Sequence, residues 1–263
     1  MTQQNSNWLV KADLHGQTCR VKSILISPPF GNYIKTPFTT SVKGSFTWQR
    51  RPGLVRQVVK TLRQIPGGYV NRIGLRNRGI REVSFCERHI YSIVGMTTDE
   101  WDFLIDFLPH FLKLEINVGC PNSWQNCITN DHVRRFAHKY QHITFKLSPS
   151  HVMEDLGRFV DLGIRRFHLC NTLPTSRGGE SGLRLKQMTL PLIEKARHTY
   201  PHIHLVGGGG IYTLQDAMDY YHAGVQSFSL ATVWFNPIRA FRLTQQLHNF
   251  LNHLPNQEVR YDF

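Results

Sequence analysis

Residues 112–147 read LKLEINVGCPNSWQNCITNDHVRRFAHKYQHITFKL and contain the unit that decides the fold. Residues 112–118 form a short run rich in Leu, Ile and Val, the pattern of a strand buried on both faces. Residues 132–140 carry apolar side chains at helical spacing, and residues 143–147 form a second short apolar run. A strand, a helix and a strand over about 30 residues make a parallel crossover unit.

The same alternation extends in both directions. Strands are expected at 23–27, 38–43, 90–94, 112–118, 143–147, 166–170, 203–206 and 227–230. Amphipathic helices are expected at 54–64, 98–108, 132–140, 152–162, 190–199 and 214–222, with a closing helix at 237–251. Eight such strands in a chain of 263 residues match a closed (β/α)8 TIM barrel, which takes about 250 residues. The expected class is therefore α/β, with residues 1–263 as a single barrel domain and an open doubly wound sheet as the alternative. An N-terminal β-hairpin is expected from residues 8–13 and 18–22. Only Gly31 to Pro37 separates the first two strands, so the first barrel helix should be missing or reduced to a turn.

The chain carries 31 Lys and Arg against 18 Asp and Glu, a formal charge of +13. That charge suits anionic substrates, cofactor phosphate or nucleic acid. Part of it is local: from Arg50 to Arg81 there are nine Lys or Arg and no acid. A solvated face and an anion-binding face both fit that run. The five cysteines, Cys19, Cys86, Cys120, Cys127 and Cys170, form no C-x-x-C pair and no zinc pattern. A reducing, cytoplasmic setting is expected, with no metal. No secretory signal is apparent at the N-terminus. The apolar stretches fall far short of the ~20 residues of a membrane helix.

In these barrels the active site lies at the C-terminal ends of the strands. The residues expected there are Lys43, Asn117 with Cys120, Lys146, Asn171, Gly207 to Gly210, and Ala231 with Thr232. The set is polar although the strands leading into it are apolar. The glycine run ahead of a helix start near Thr213 suits a phosphate, because bare backbone lets amides approach it. Thr232 can add a hydroxyl and an amide. Cys120 lies in Asn117-Val-Gly-Cys-Pro-Asn122, where a thiolate could remove an acidic C–H proton. A buried cysteine can equally be a small apolar side chain. Asn71, Asn117, Asn122 and Asn171 each offer both donors and an acceptor, as the edge of a cyclic imide or pyrimidine requires.

In this order the motifs resemble the dihydroorotate dehydrogenase family. They are Thr40-Ser-Val-Lys43, Asn71-Arg-Ile-Gly-Leu75, Asn117-Val-Gly-Cys-Pro-Asn122, Lys146-Leu-Ser-Pro149, Cys170-Asn-Thr172, Gly178-Gly-Glu-Ser-Gly182 and Gly207-Gly-Gly-Gly-Ile211. The resemblance implies FMN at the barrel mouth. Its phosphate would rest at Gly209, Gly210 and Thr232, with Gly208, Ala231, Ser181 and Gly182 alongside, and Lys43, Asn117 and Lys146 would contact the flavin. It implies orotate or dihydroorotate held by the four asparagines, by Thr172 and by the backbone near Gly74 and Leu75. Cys120 would take a proton while hydride leaves for the flavin, with Lys43 assisting. Cysteine at this position resembles the soluble branch, which passes electrons to fumarate or to NAD through a partner subunit. A homodimer and an electron-transfer partner both remain open. The chain departs from the family at Gly119, where serine is usual, at Ala231, where glycine is common, and in a short stretch between Asn171 and Gly178.

Two other functions compete. A tRNA dihydrouridine synthase has the same barrel, FMN and an Asn-x-Gly-Cys-Pro motif, and the positive charge would suit tRNA. Its His-x-Arg is replaced here by Cys170-Asn-Thr172, and no tRNA-binding domain follows. The other is a non-catalytic basic barrel serving as a binding or scaffold subunit. Its weakness is that a scaffold has no need of Lys43, Cys120 and four asparagines.

Overall fold

The computed structural model of the protein describes residues 23–119, 128–149 and 152–254. The expected N-terminal hairpin, Cys120 and Asn122 lie outside the described residues.

Twelve strands and seven α-helices are described, in the chain order β1 (Ser23–Ile26), β2 (Thr39–Thr47), α1 (Leu54–Thr61), β3 (Arg63–Ile65), β4 (Gly68–Asn71), β5 (Ile90–Val94), α2 (Thr98–Phe107), β6 (Lys113–Asn117), α3 (Asn130–Lys139), β7 (Ile143–Leu147), α4 (Val152–Asp161), β8 (Arg166–Leu169), β9 (Leu173–Thr175), β10 (Gly178–Gly182), α5 (Leu183–Thr199), β11 (His204–Gly208), α6 (Leu214–His222), β12 (Ser227–Leu230) and α7 (Pro237–Asn252). Eight strands close into a barrel in the order β1-β12-β11-β8-β7-β6-β5-β2. Neighbouring barrel strands pair in parallel. The structure is therefore a (β/α)8 barrel, as the strand–helix alternation predicts.

Helices α2 to α6 connect the later strands and α7 closes the chain. Their ends follow from local chemistry. Thr97 caps α2 through the amide of Glu100, and Thr129 with His132 and Thr213 with Asp216 form reciprocal capping pairs at α3 and α6. Asn236 caps α7 just before Pro237. Between α2 and α3, the Trp101 and Phe136 rings meet edge to face at 6.0 Å, and the buried Tyr140 hydroxyl donates to the Leu108 carbonyl at 2.9 Å.

The first crossover is one 3-10 turn, Phe30–Asn32, in agreement with the short spacing. That turn places Asn32 against β2, where its side chain bonds both the amide and the carbonyl of Gly44, at 2.8 and 2.9 Å. The contact sits on a bulge: the β2–β5 register shifts between Lys43 and Phe46. Here the structure corrects the sequence reading, because β2 runs on to Thr47 and Lys43 lies inside the strand instead of ending it. Gly44 and Ser45 made that stretch look like a loop.

Two more readings change. Helix α5 starts at Leu183, seven residues before the expected start, and Pro191 lies inside it. The buried stripe Leu185, Thr189, Ile193 and Ala196 runs straight past the proline, so packing overrides its breaking effect. The stretches 63–71 and 173–182, expected as loop or helix end, instead form a four-stranded sheet, β3-β4-β10-β9, with antiparallel pairs. It ties the excursion after β2 to the loop after β8. Helix α1 is correspondingly shorter than expected and buries no residue. No helix of the described residues is long and apolar enough to cross a membrane.

Candidate functional site

A cavity of about 750 Å³ opens at the C-terminal ends of the barrel strands. Its walls include Lys43, Asn117, Lys146, Asn171, Thr172, Gly209, Gly210, Ala231 and Thr232 from the barrel. Asn71, Gly74, Leu75 and Ser181 come from the small sheet and its loop. Gly182 and Gly208 stand beside the cavity and not in its wall. Residues from both ends of the chain thus share one space, because the barrel returns every strand to the same face.

The asparagines form a chain. Asn171 Nδ2 donates to Asn117 Oδ1 at 2.9 Å, and Asn117 Nδ2 donates to Ser45 Oγ at 3.1 Å. Asn117 and Asn171 are 4% and 9% exposed, so these bonds fix which way each amide points. Each NH2 keeps a second hydrogen for a ligand.

Below them lies a charged group that sequence reasoning missed. Glu115 and His168, 2% and 1% exposed, meet at 2.8 Å between Oε2 and Nδ1. Lys146 Nζ stands 3.8 Å from Glu115 Oε1. Burial pushes the Glu115 carboxyl up, but the Lys146 charge and the His168 hydrogen bond outweigh it and hold the carboxyl at about 2. Burial, with the Lys146 charge, lowers His168 against the pull of Glu115, so the ring is neutral. An ionised carboxylate has no proton to give, so Nδ1 carries the ring proton. Nε2 is then a bare acceptor, buried and without a partner among the described residues, on a residue of the cavity wall. The signal in the sequence was slight: one acid between Leu114 and Ile116 in an apolar strand.

The loop after β11 turns at Gly209 and Gly210, with φ of 92° and 68°. Those angles favour glycine. There is also no room: a Cβ on Gly209 would stand 2.8 Å from Leu185 Cβ and 3.0 Å from Cys170 Sγ. The Tyr220 hydroxyl underpins this loop, reaching the carbonyls of Gly208 at 2.6 Å and Gly209 at 2.8 Å. Sequence reasoning missed Tyr220 too, since a buried tyrosine on a helix reads as core. Tyr220→Phe is expected to lose about 1–3 kcal/mol of stability by orphaning buried acceptors. Denaturant titration of the variant checks this, and a wild-type value would remove Tyr220 from the support of the loop.

Gly119 is explained by the backbone. A Cβ there would fall 2.1 Å from the Ser148 amide nitrogen and 2.6 Å from the Leu147 carbonyl carbon. The crossing of the β6 and β7 loops leaves space for glycine alone.

The cavity is strongly cationic. Its wall includes Lys43, Lys146, Arg50, Arg51, Arg76 and Arg78 and, among the described residues, no Asp or Glu. Burial, then Lys35 and Arg78, lower the pKa of Lys43. With cations in such excess on its wall, the cavity favours an anionic occupant. Cys170 also lines the wall, but burial pushes its thiol up to about 11, which leaves it an inert apolar group.

Comparison with known proteins adds relationship to geometry. Residues 155–251 match the family model for dihydroorotate dehydrogenase. The catalytic subunit of the NAD(+)-linked dihydroorotate dehydrogenase B of Geotalea uraniireducens is 27% identical over 226 residues, covering 72% of this chain and 74% of that protein. The corresponding subunit of Lachnoclostridium phytofermentans is 24% identical over 256 residues, with 81% of each covered. Among solved structures, the Eimeria tenella DHODH in complex with ferulenol superposes with a TM-score of 0.65 at 18% identity, over 92% of this chain and 84% of that one. That last likeness concerns the fold.

Proposed function

We propose that the chain, similar to dihydroorotate dehydrogenases in residues 155–251 and along most of its length, is a member of that family that oxidises dihydroorotate to orotate with FMN, using Cys120 as the base. The carrying observation is the meeting of buried Asn117 and Asn171 with Lys43 and Lys146 in one cavity wall that holds no acid among the described residues. Dihydroorotate, orotate and the cofactor phosphate are all anions, and such a wall attracts them.

The residues fit an FMN. The Gly209–Gly210 turn offers bare backbone, and Thr232 stands opposite it in the wall. The buried Nε2 of His168 has no partner among the described residues and can accept from a donor on a bound group. When bound, FMN supplies the acceptor for the substrate hydride.

The remaining roles belong to the chain. Asn71, Asn117, Asn122 and Asn171 hold the substrate ring by its alternating donors and acceptors, with Thr172 beside them. Lys43 and the backbone at Gly74 and Leu75 hold the substrate carboxylate. Lys146, 3.8 Å from Glu115, sets a positive potential below the asparagines. Cys120, as thiolate, removes the ring proton. The NAD(+)-linked subunits among the relatives support a separate electron-transfer subunit as partner. Those same relatives favour this reaction over tRNA modification.

Two measurements test the reading. FMN-loaded protein given L-dihydroorotate and an artificial electron acceptor should form orotate in step with acceptor reduction, and no orotate would contradict the proposal. Lys43→Ala should weaken orotate binding about 10- to 100-fold, the worth of a hydrogen bond to a charged group, and slow flavin reduction. If only its melting temperature moved, Lys43 would be structural. Because its pKa is lowered, orotate affinity should fall with rising pH earlier than an ordinary lysine would dictate.

A further inference from the structure

The proposed reaction leaves four arginines without a task. Arg50, Arg51, Arg76 and Arg78 line the same cavity. Among the described residues, none of the cations between Arg50 and Arg81 forms an ion pair with an acid. Arg51 and Arg76 are held to backbone instead, Arg51 to the Gly74 carbonyl and Arg76 to the Pro52 carbonyl, each at 3.3 Å. Their segments are locked together by reciprocal backbone bonds between Arg51 and Asn77, at 2.8 and 2.9 Å. The Nε atoms of both arginines are buried and have no hydrogen-bond partner. A guanidinium donor shut away from water with no acceptor is costly, and an oxyanion would satisfy it.

The placement is specific. Arg51 bonds the carbonyl of Gly74, and Gly74 belongs to the loop assigned above to the substrate carboxylate. The arginines therefore adjoin the ring site. Dihydroorotate brings one carboxylate, and the cofactor phosphate is assigned to the glycine turn after β11. Neither accounts for two adjacent, fixed guanidinium groups.

We propose that Arg51 and Arg76, with Arg50 and Arg78 around them, form an oxyanion subsite in the cavity wall that takes a phosphate or a second carboxylate of the ligand. The position of this subsite beside the substrate ring rests on the function proposed above. The cavity is then built for a ligand with two anionic groups, one at the ring site and one at the arginines.

Matched pairs of ligands, titrated into FMN-loaded protein at low salt and followed by the flavin absorbance change, test the assignment. Orotidine and orotidine 5′-phosphate differ by the phosphate, and crotonate and fumarate differ by the second carboxylate. The member of one pair with the second anionic group should bind at least tenfold more tightly than its partner, and the pair that responds shows whether the subsite prefers phosphate or carboxylate. In the R51Q/R76Q double variant the gain should shrink to under twofold, and R51K/R76K should restore part of it. Equal affinities within both pairs, or a gain that survives in R51Q/R76Q, would overturn the proposal. Inorganic pyrophosphate examines the subsite without the ring site. It should raise the melting temperature of the FMN-loaded wild type and not of R51Q/R76Q. If pyrophosphate acts this way but orotate does not bind, the ring-site reading fails and the subsite stands. If orotate binds and pyrophosphate has no arginine-dependent effect, the subsite fails alone.

Discussion

Cys120→Ala is expected to retain FMN and to slow flavin reduction by dihydroorotate by about 100- to 10,000-fold, the usual worth of a positioned base. The expectation rests on contrast between two thiols. Cys170 lines the cavity wall but is buried, and its thiol is pushed up to about 11, so it cannot supply a thiolate near neutral pH. Cys120 follows, three residues on in sequence, Asn117, which β6 delivers to the cavity wall. Among the described residues, the ionised side chains in that wall are cations, which favour a thiolate over a thiol. Cys170→Ala should therefore reduce at close to the wild-type rate. Stopped-flow absorbance of the two variants separates them, and a fast Cys120→Ala or a dead Cys170→Ala would reassign the base.

Glu115→Gln is expected to destabilise the protein by about 3–5 kcal/mol, the cost of leaving one member of a buried ion pair uncompensated. The amide keeps the shape but leaves Lys146 without its carboxylate and frees His168 to change tautomer. The pH dependence has a definite sign. The folded pKa of Glu115, about 2, lies below its ordinary 4.5. Its contribution is present in full above about 4.5 and is lost as pH falls toward 2. Urea unfolding across that window should show an acid-side slope in the wild type that is shallower in Glu115→Gln. An unchanged slope, or a loss under about 1 kcal/mol at neutral pH, would show that solvent already screens the pair.

What could be read from sequence followed burial. Strands β5, β7 and β12 fall where expected because runs such as Ile90–Val94 are short, mostly apolar and largely buried. The missing first helix was legible because spacing alone forbids it. The small sheet was not, since β10 is three glycines with Glu180 and Ser181, β4 is only four residues long, and the two take their structure from each other. Helix α5 hid its first seven residues behind Pro191. Of the site, the asparagines and lysines were visible as polar ends of apolar strands. Glu115 and His168 were not, because their meaning depends on a neighbour 53 residues away. The arginine run was visible, but only the Arg51–Asn77 bridge turns its members toward the cavity.

The central claim is that this cavity moves hydride from dihydroorotate to a bound flavin. The direct measurement is an anaerobic absorbance trace of the FMN-loaded protein mixed with L-dihydroorotate. The account predicts rapid bleaching of the oxidised flavin band, with orotate formed in equal amount. A bound flavin that stays oxidised would contradict it.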